Sequence, residues 1–140
     1  MSGPRPVDPH QWEEVERWLN RILDDLSMVD AALAQPSPSV YGASLHCQQA
    51  AEKIAKAVLI AFSVKPPRIH DLQQLGELLE TVHPAIGMEI QDLAQLTSWY
   101  TAARYPDVLS DAQPSLQEIR SALTVLRALY DRVMALAPGE

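Results

Sequence analysis

Residues 45–79 read LHCQQAAEKIAKAVLIAFSVKPPRIHDLQQLGELL, and the spacing of their apolar members decides the fold. Cys47, Ala51, Ile54, Val58 and Phe62 recur every three or four positions, which places them on one face of a helix. Pro66 and Pro67 then stop that helix, because proline has no N–H to donate and clashes with the preceding turn. Asp71 follows as an N-cap, and Leu72, Leu75, Leu78, Leu79 and Val82 resume the same period.

Working outward, the prolines fall at the ends of segments, which is where helices tolerate them. Five helical stretches result. The first is expected to open with Asp8 as N-cap and Pro9 in the first helical position, with an apolar stripe at Trp12, Val15, Leu19, Ile22, Leu26, Val29 and Leu33. The second spans about 39–63 and the third is the short one behind Asp71. The fourth is expected as one helix from Pro84 to about Tyr105, with Ile86, Ile90, Leu93, Leu96 and Tyr100 inward. The last starts near Pro114, capped by Asp111 or Gln113, and carries Leu116, Ile119, Leu123, Leu126, Tyr130 and Val133. Long helices with short connections pack antiparallel. The expected architecture is all-α: an up-and-down four-helix bundle with an additional short helix across one end. Residues 1–9 read as a flexible leader and 10–137 as one helical domain.

No run of 18 apolar residues exists to span a membrane, and the amino terminus has no apolar core of the secretory kind. The lone cysteine, Cys47, cannot pair within the chain, and no Cys/His cluster has metal-ligand spacing. The reading is a cytoplasmic protein with neither a metal nor a resident cofactor. Net charge is −7 but unevenly spread. Seven acids against Arg17 and Arg21 make 8–35 net −5, whereas four bases against Glu52 and Asp71 make 45–76 net +2. An acidic chain is a poor non-specific binder of nucleic acid, but a local basic patch suits one nucleotide or a short strand.

Three polar constellations stand among the apolar residues. His46, Gln49, Lys53 and Lys56 share a helix face that offers imidazole, amide and ammonium groups to an anionic ligand; a solvated face is the alternative. In the loop Lys65–Leu72, Arg68 and His70 stand beside the helix that Asp71 caps, where an anion is favoured; a cap with Ile69 as a hydrophobic staple also accounts for the motif. Around Arg104, Tyr105 and Asp107, the guanidinium can grip a phosphate and the phenol can stack on a base, or Arg104 can pair with Asp107 or Asp111 at a helix end. Trp18 and Leu23 lie off the main stripe of the first helix, as the edge of a homodimer surface or as a wide face packed on two neighbours. No phosphate-binding glycine loop, dinucleotide fingerprint, zinc-protease or serine-hydrolase motif occurs.

Taken together, HCQQAAEKIAKAVLIAFSVKPPRIHDLQQLGELL and Ala103–Asp107 (ARYPD) resemble the HEPN domain, the higher eukaryotes and prokaryotes nucleotide-binding domain, over about 12–133. The resemblance implies a helical bundle that dimerises about a groove, and a small nucleotidyltransferase as partner in a toxin–antitoxin type pair. It also implies that RNase members cleave RNA with an arginine followed four to six residues later by histidine. Here Arg104 is followed by no histidine, and none occurs after His83. Arg5 and His10 have the spacing but stand in the leader.

The leading expectation is a non-catalytic module holding a nucleotide or RNA end through Lys53, Lys56, Arg68, His70, Arg104 and Tyr105. His46, Gln49, Asp71 and Asp107 support them. The alternative is a metal-independent RNase in which Arg104 stabilises the phosphate and His46 or His70 serves as a rearranged base. A purely structural subunit is the third reading.

Overall fold

The computed structural model describes residues 6–104 and 114–139, with side chains except at 100–104. Arg5, Tyr105, Asp107, Asp111 and Gln113, and the side chains of Tyr100 and Arg104, lie outside the described residues. Among the described residues six α-helices follow in order: α1 (Trp12–Leu33), α2 (Val40–Ala61), α3 (Leu72–Glu80), α4 (Pro84–Asp92), α5 (Gln95–Arg104) and α6 (Leu116–Met134). No strand occurs among the described residues, so the all-α expectation holds.

The chain enters α1 through a 3₁₀ turn over Pro9–Gln11 rather than directly into α-helix. The Asp8 carboxylate accepts from the His10 N–H at 2.9 Å and the Asp8 carbonyl from Gln11, which closes the tighter turn. Along α1 the expected stripe is buried at Val15, Leu19, Ile22, Leu26 and Val29. Ser39 caps α2 by accepting from Gly42.

Helix α2 is the centre of the bundle and packs on α1, α3, α5 and α6. Ala43, Ala50, Ala51, Ala55, Ala57 and Ala61 are all fully buried, and their small side chains let neighbouring helices approach on several sides. The helix ends with the Ser63 N–H donating to Ile60 and the Val64 N–H to Leu59, while Ser63 takes φ 60°. That left-handed position is ordinarily glycine's. Two bonds compensate for the serine: its hydroxyl donates to Asp8 at 2.7 Å, and the Asp8 N–H donates to Ala61 at 2.9 Å. The same contacts, with Ser39 N–H to Ala32, set α1 and α2 antiparallel.

Asp71 caps α3 as expected, accepting from Gln74 at 3.0 Å. The fourth stretch departs from expectation: it is two helices, α4 and α5, with a bend at Leu93 and Ala94. There the backbone bonds run from residue i+3 to i, as Leu93 to Ile90, Ala94 to Gln91 and Leu96 to Leu93. No proline or glycine marks the bend, and Ile90, Leu93 and Leu96 keep a helical spacing through it, so periodicity alone could not locate it. The short helix α3 accordingly has a partner, α4, which returns antiparallel against it. A Cβ on Gly87 would stand 2.5 Å from the Glu80 backbone, and one on Gly76 would meet the Gly87 carbonyl at 2.9 Å. Only glycines allow that closeness.

The start of α6 is a second correction. Its cap is Ser115, not Asp111 or Gln113: the Glu118 N–H donates to the Ser115 hydroxyl and the Ser115 N–H to the Glu118 carboxylate. This reciprocal capping box satisfies two otherwise unpaired donors at once. Ile119, Leu126, Leu129 and Val133 bury against the bundle, and Arg127 and Arg132 form ion pairs with Asp30 of α1 and Glu89 of α4. Among the described residues no helix is long and apolar enough to cross a membrane.

Candidate ligand groove

A buried acid organises the polar face of α2. Asp25 lies on α1 among Ile22, Leu26 and Val29, and its side chain is only 6% exposed. A carboxylate so placed requires partners, since desolvating an unpaired charge is strongly unfavourable. Both oxygens are occupied: His46 Nδ1 lies 2.9 Å from Oδ1 and Lys53 Nζ lies 2.5 Å from Oδ2.

Next to Lys53 on α2, Glu52 repeats the arrangement. Its Oε1 accepts from Lys56 at 2.9 Å and from His70 Nδ1 at 2.6 Å. Ionised carboxylates only accept, so in both histidines the proton sits on Nδ1 when the ring is neutral. His70 is carried into place by the loop between α2 and α3. Its ring is 80% exposed, whereas Glu52 and Lys56 are sheltered. The loop is held from beneath by Gln48, whose Nε2 donates to the His70 carbonyl at 3.1 Å.

These side chains line a groove of about 530 Å³. Gln48, Gln49, Glu52, Lys53 and Lys56 form its α2 side, and His70 stands on the loop rim. Trp18 of α1 and Thr97 of α5 close it laterally. The Trp18 indole N–H donates to Glu14 at 3.2 Å, which restrains the ring.

The electrostatics follow from the pairing. Each lysine is neutralised by a carboxylate, so the groove is not a simple cationic trap. Each ammonium nonetheless keeps donors beyond the one used in its ion pair. Lys53 and Lys56 can thus still donate to phosphate oxygens, and Trp18 presents a ring on which a base can stack. The Gln48 Oε1 atom is buried without a hydrogen-bond partner among the described residues, as is Ser44 Oγ one turn earlier. Leaving such an acceptor unsatisfied costs about 1–3 kcal/mol.

Of the expected site residues, the structure brings Lys53, Lys56, His70 and Gln49 together. His46 is turned toward Asp25 and does not line the groove, Arg68 is exposed outside it, and Asp71 serves as the α3 cap. Arg104 ends α5, but its side chain, Tyr105 and Asp107 lie outside the described residues. Sequence reasoning missed Asp25, Glu52, Trp18, Gln48 and Thr97 as site residues. For Asp25 there was a signal: it falls three residues after Ile22 and four before Val29, inside an apolar stripe. Trp18, read as the edge of a homodimer surface or as part of a wide packed face, is partly buried against the core and also borders the groove, while Leu23 faces solvent at 41% exposure.

Cys47 is buried in the core, and desolvation pushes its thiol up to about 12, which makes it unsuited to nucleophilic work. No group of three or more His, Cys, Asp or Glu side chains among the described residues is placed to hold a metal.

Comparison with curated proteins gives no match, and comparison with solved structures gives none. The HEPN domain family model matches residues 15–136, nearly the whole of the helical bundle and every described residue of the groove. The chain belongs to the HEPN domain family.

Proposed function

We propose that this protein is a nucleotide- or RNA-binding helical module that binds its ligand in the groove between α1, α2 and the α2–α3 loop. The supporting observation is the gathering of Lys53, Lys56, His70 and Gln49 beside the Trp18 ring. In this reading the lysines donate to phosphate, Trp18 stacks on the base, and His70 contacts sugar or phosphate from the rim. The module works in the cytoplasm as a homodimer and as the partner of a minimal nucleotidyltransferase in a toxin–antitoxin type pair; family membership supports that role. Binding rather than cleavage is favoured because no histidine follows Arg104 at any spacing.

The test is equilibrium binding of mononucleotides and of a short labelled RNA to the wild type and to the Lys53→Ala/Lys56→Ala double variant. Intact RNA, saturable binding by the wild type and at least tenfold weaker binding by the double variant are expected. Cleaved RNA, or affinity unchanged by the double substitution, would overturn the reading. Co-purification with a nucleotidyltransferase encoded beside it tests the partnership separately.

A further inference from the structure

We propose that His70 is a phosphoryl-accepting residue, whose Nε2 takes a phosphoryl group from small donors of the phosphoramidate class, with Glu52 as its positioning residue. The inference does not depend on which ligand fills the groove.

Its basis is how the four histidines differ. A histidine accepts a phosphoryl group through a ring nitrogen whose lone pair is both free and reachable. At His70, Nδ1 lies 2.6 Å from Glu52 Oε1, so the proton is held there and the lone pair stands on Nε2. The ring is 80% exposed whereas Glu52 is 14% exposed, so the anchor is sheltered and the reacting edge is open. The backbone is fixed as well, since Gln48 donates to the His70 carbonyl at 3.1 Å. No other histidine combines these features. His46 has a carboxylate anchor in Asp25, but its side chain is 22% exposed and lies outside the groove. His83 uses its Nδ1 lone pair to accept from the Ile86 N–H at 3.2 Å and packs its ring near Phe62. His10 is exposed, but no carboxylate is hydrogen-bonded to its ring among the described residues.

The surroundings of His70 also suit the product. Lys56 donates to the same Glu52 oxygen, which sets an ammonium with spare donors beside the ring, and Lys53 lines the same groove. With phosphoramidate, protonated on nitrogen at neutral pH, the Nε2–P bond forms as the donor's P–N bond breaks and ammonia leaves. The ring becomes an imidazolium that keeps its proton on Nδ1, facing the Glu52 carboxylate, which stabilises the developing charge. Lys56 meets the phosphoryl oxygens. One P–N bond replaces another, so no phosphoanhydride has to be activated, and the chain has no phosphate-binding glycine loop for such a donor.

The experiment incubates the full chain with potassium phosphoramidate at neutral pH. Each histidine is followed by peptide mass mapping under alkaline conditions, where phosphohistidine survives. His70 is expected to react at least about tenfold faster than His10 in the same molecules, a comparison internal to the folded wild type. Glu52→Gln should slow His70 by about tenfold while leaving His10 within about twofold, with thermal melts confirming that the variant folds. A long-range ¹H–¹⁵N spectrum of the wild type should place the neutral His70 proton on Nδ1. A His70 rate no greater than that of His10, or a proton on Nε2, would overturn the proposal. An undiminished His70 rate in folded Glu52→Gln would overturn the role given to Glu52.

Discussion

Asp25 concentrates the local energetics of the site. It holds Lys53 and His46 from beneath, and with the carboxylate removed both lose their counter-group in a sheltered setting. Fully buried pairs broken on one side cost about 3–5 kcal/mol, but Lys53 and His46 keep partial solvent contact. Asp25→Ala is therefore expected to destabilise the fold by about 2 kcal/mol in urea unfolding. Asp25→Asn, which keeps the shape, should cost less. Cys47 makes a pH-dependent prediction. Its thiol is raised from 9.0 to about 12 by burial, so the folded state keeps the proton where the unfolded chain releases it. The stability this contributes is full below pH 9.0 and is lost as pH rises toward about 12. Cys47→Ala should flatten that part of the alkaline decline, and the native wild type should resist iodoacetamide at neutral pH. Rapid alkylation of the folded protein would contradict the burial.

At the scale of elements, the α3–α4 pair depends on Gly76 and Gly87 because a Cβ at either would meet backbone atoms as well as side chains, and backbone cannot yield as a flexible side chain does. Gly87→Ala places a Cβ against the Glu80 backbone and is expected to lower stability by about 2–3 kcal/mol, read from the thermal midpoint. Ser115→Ala removes the capping box of α6 and should cost about 1 kcal/mol. The elements differ in how far the sequence discloses them. Apolar spacing placed α1, α2, α3 and α6, and Asp71 was legible as a cap because a proline-stiffened loop precedes it. The break between α4 and α5 was not legible, since Ile90, Leu93 and Leu96 would suit a continuous helix equally well. Ser115 was overlooked in favour of residues ahead of Pro114, although S-x-x-E is itself a start signal.

For the molecule as a whole, the antiparallel α1–α2 pair determines which side chains the groove presents. It brings an acid from 25 and a tryptophan from 18 against lysines from 53 and 56, while the α2–α3 loop adds His70. Spacing along α2 revealed that Gln49, Lys53 and Lys56 share a face. It could not reveal that Lys53 is already paired, because Asp25 is 28 residues away in the chain, whereas the Glu52–Lys56 pair has the i,i+4 spacing of neighbours on a helix surface and was legible. The central claim is that this groove is where a nucleotide sits. The most direct test is a two-dimensional ¹H–¹⁵N spectrum of the labelled protein during titration with AMP. Saturable shifts are expected at the Trp18 indole N–H, the Gln49 side-chain amide and the backbone around His70, with the Trp12 indole unmoved. Shifts centred on Trp12 and the far end of α6, or none at any concentration, would contradict it.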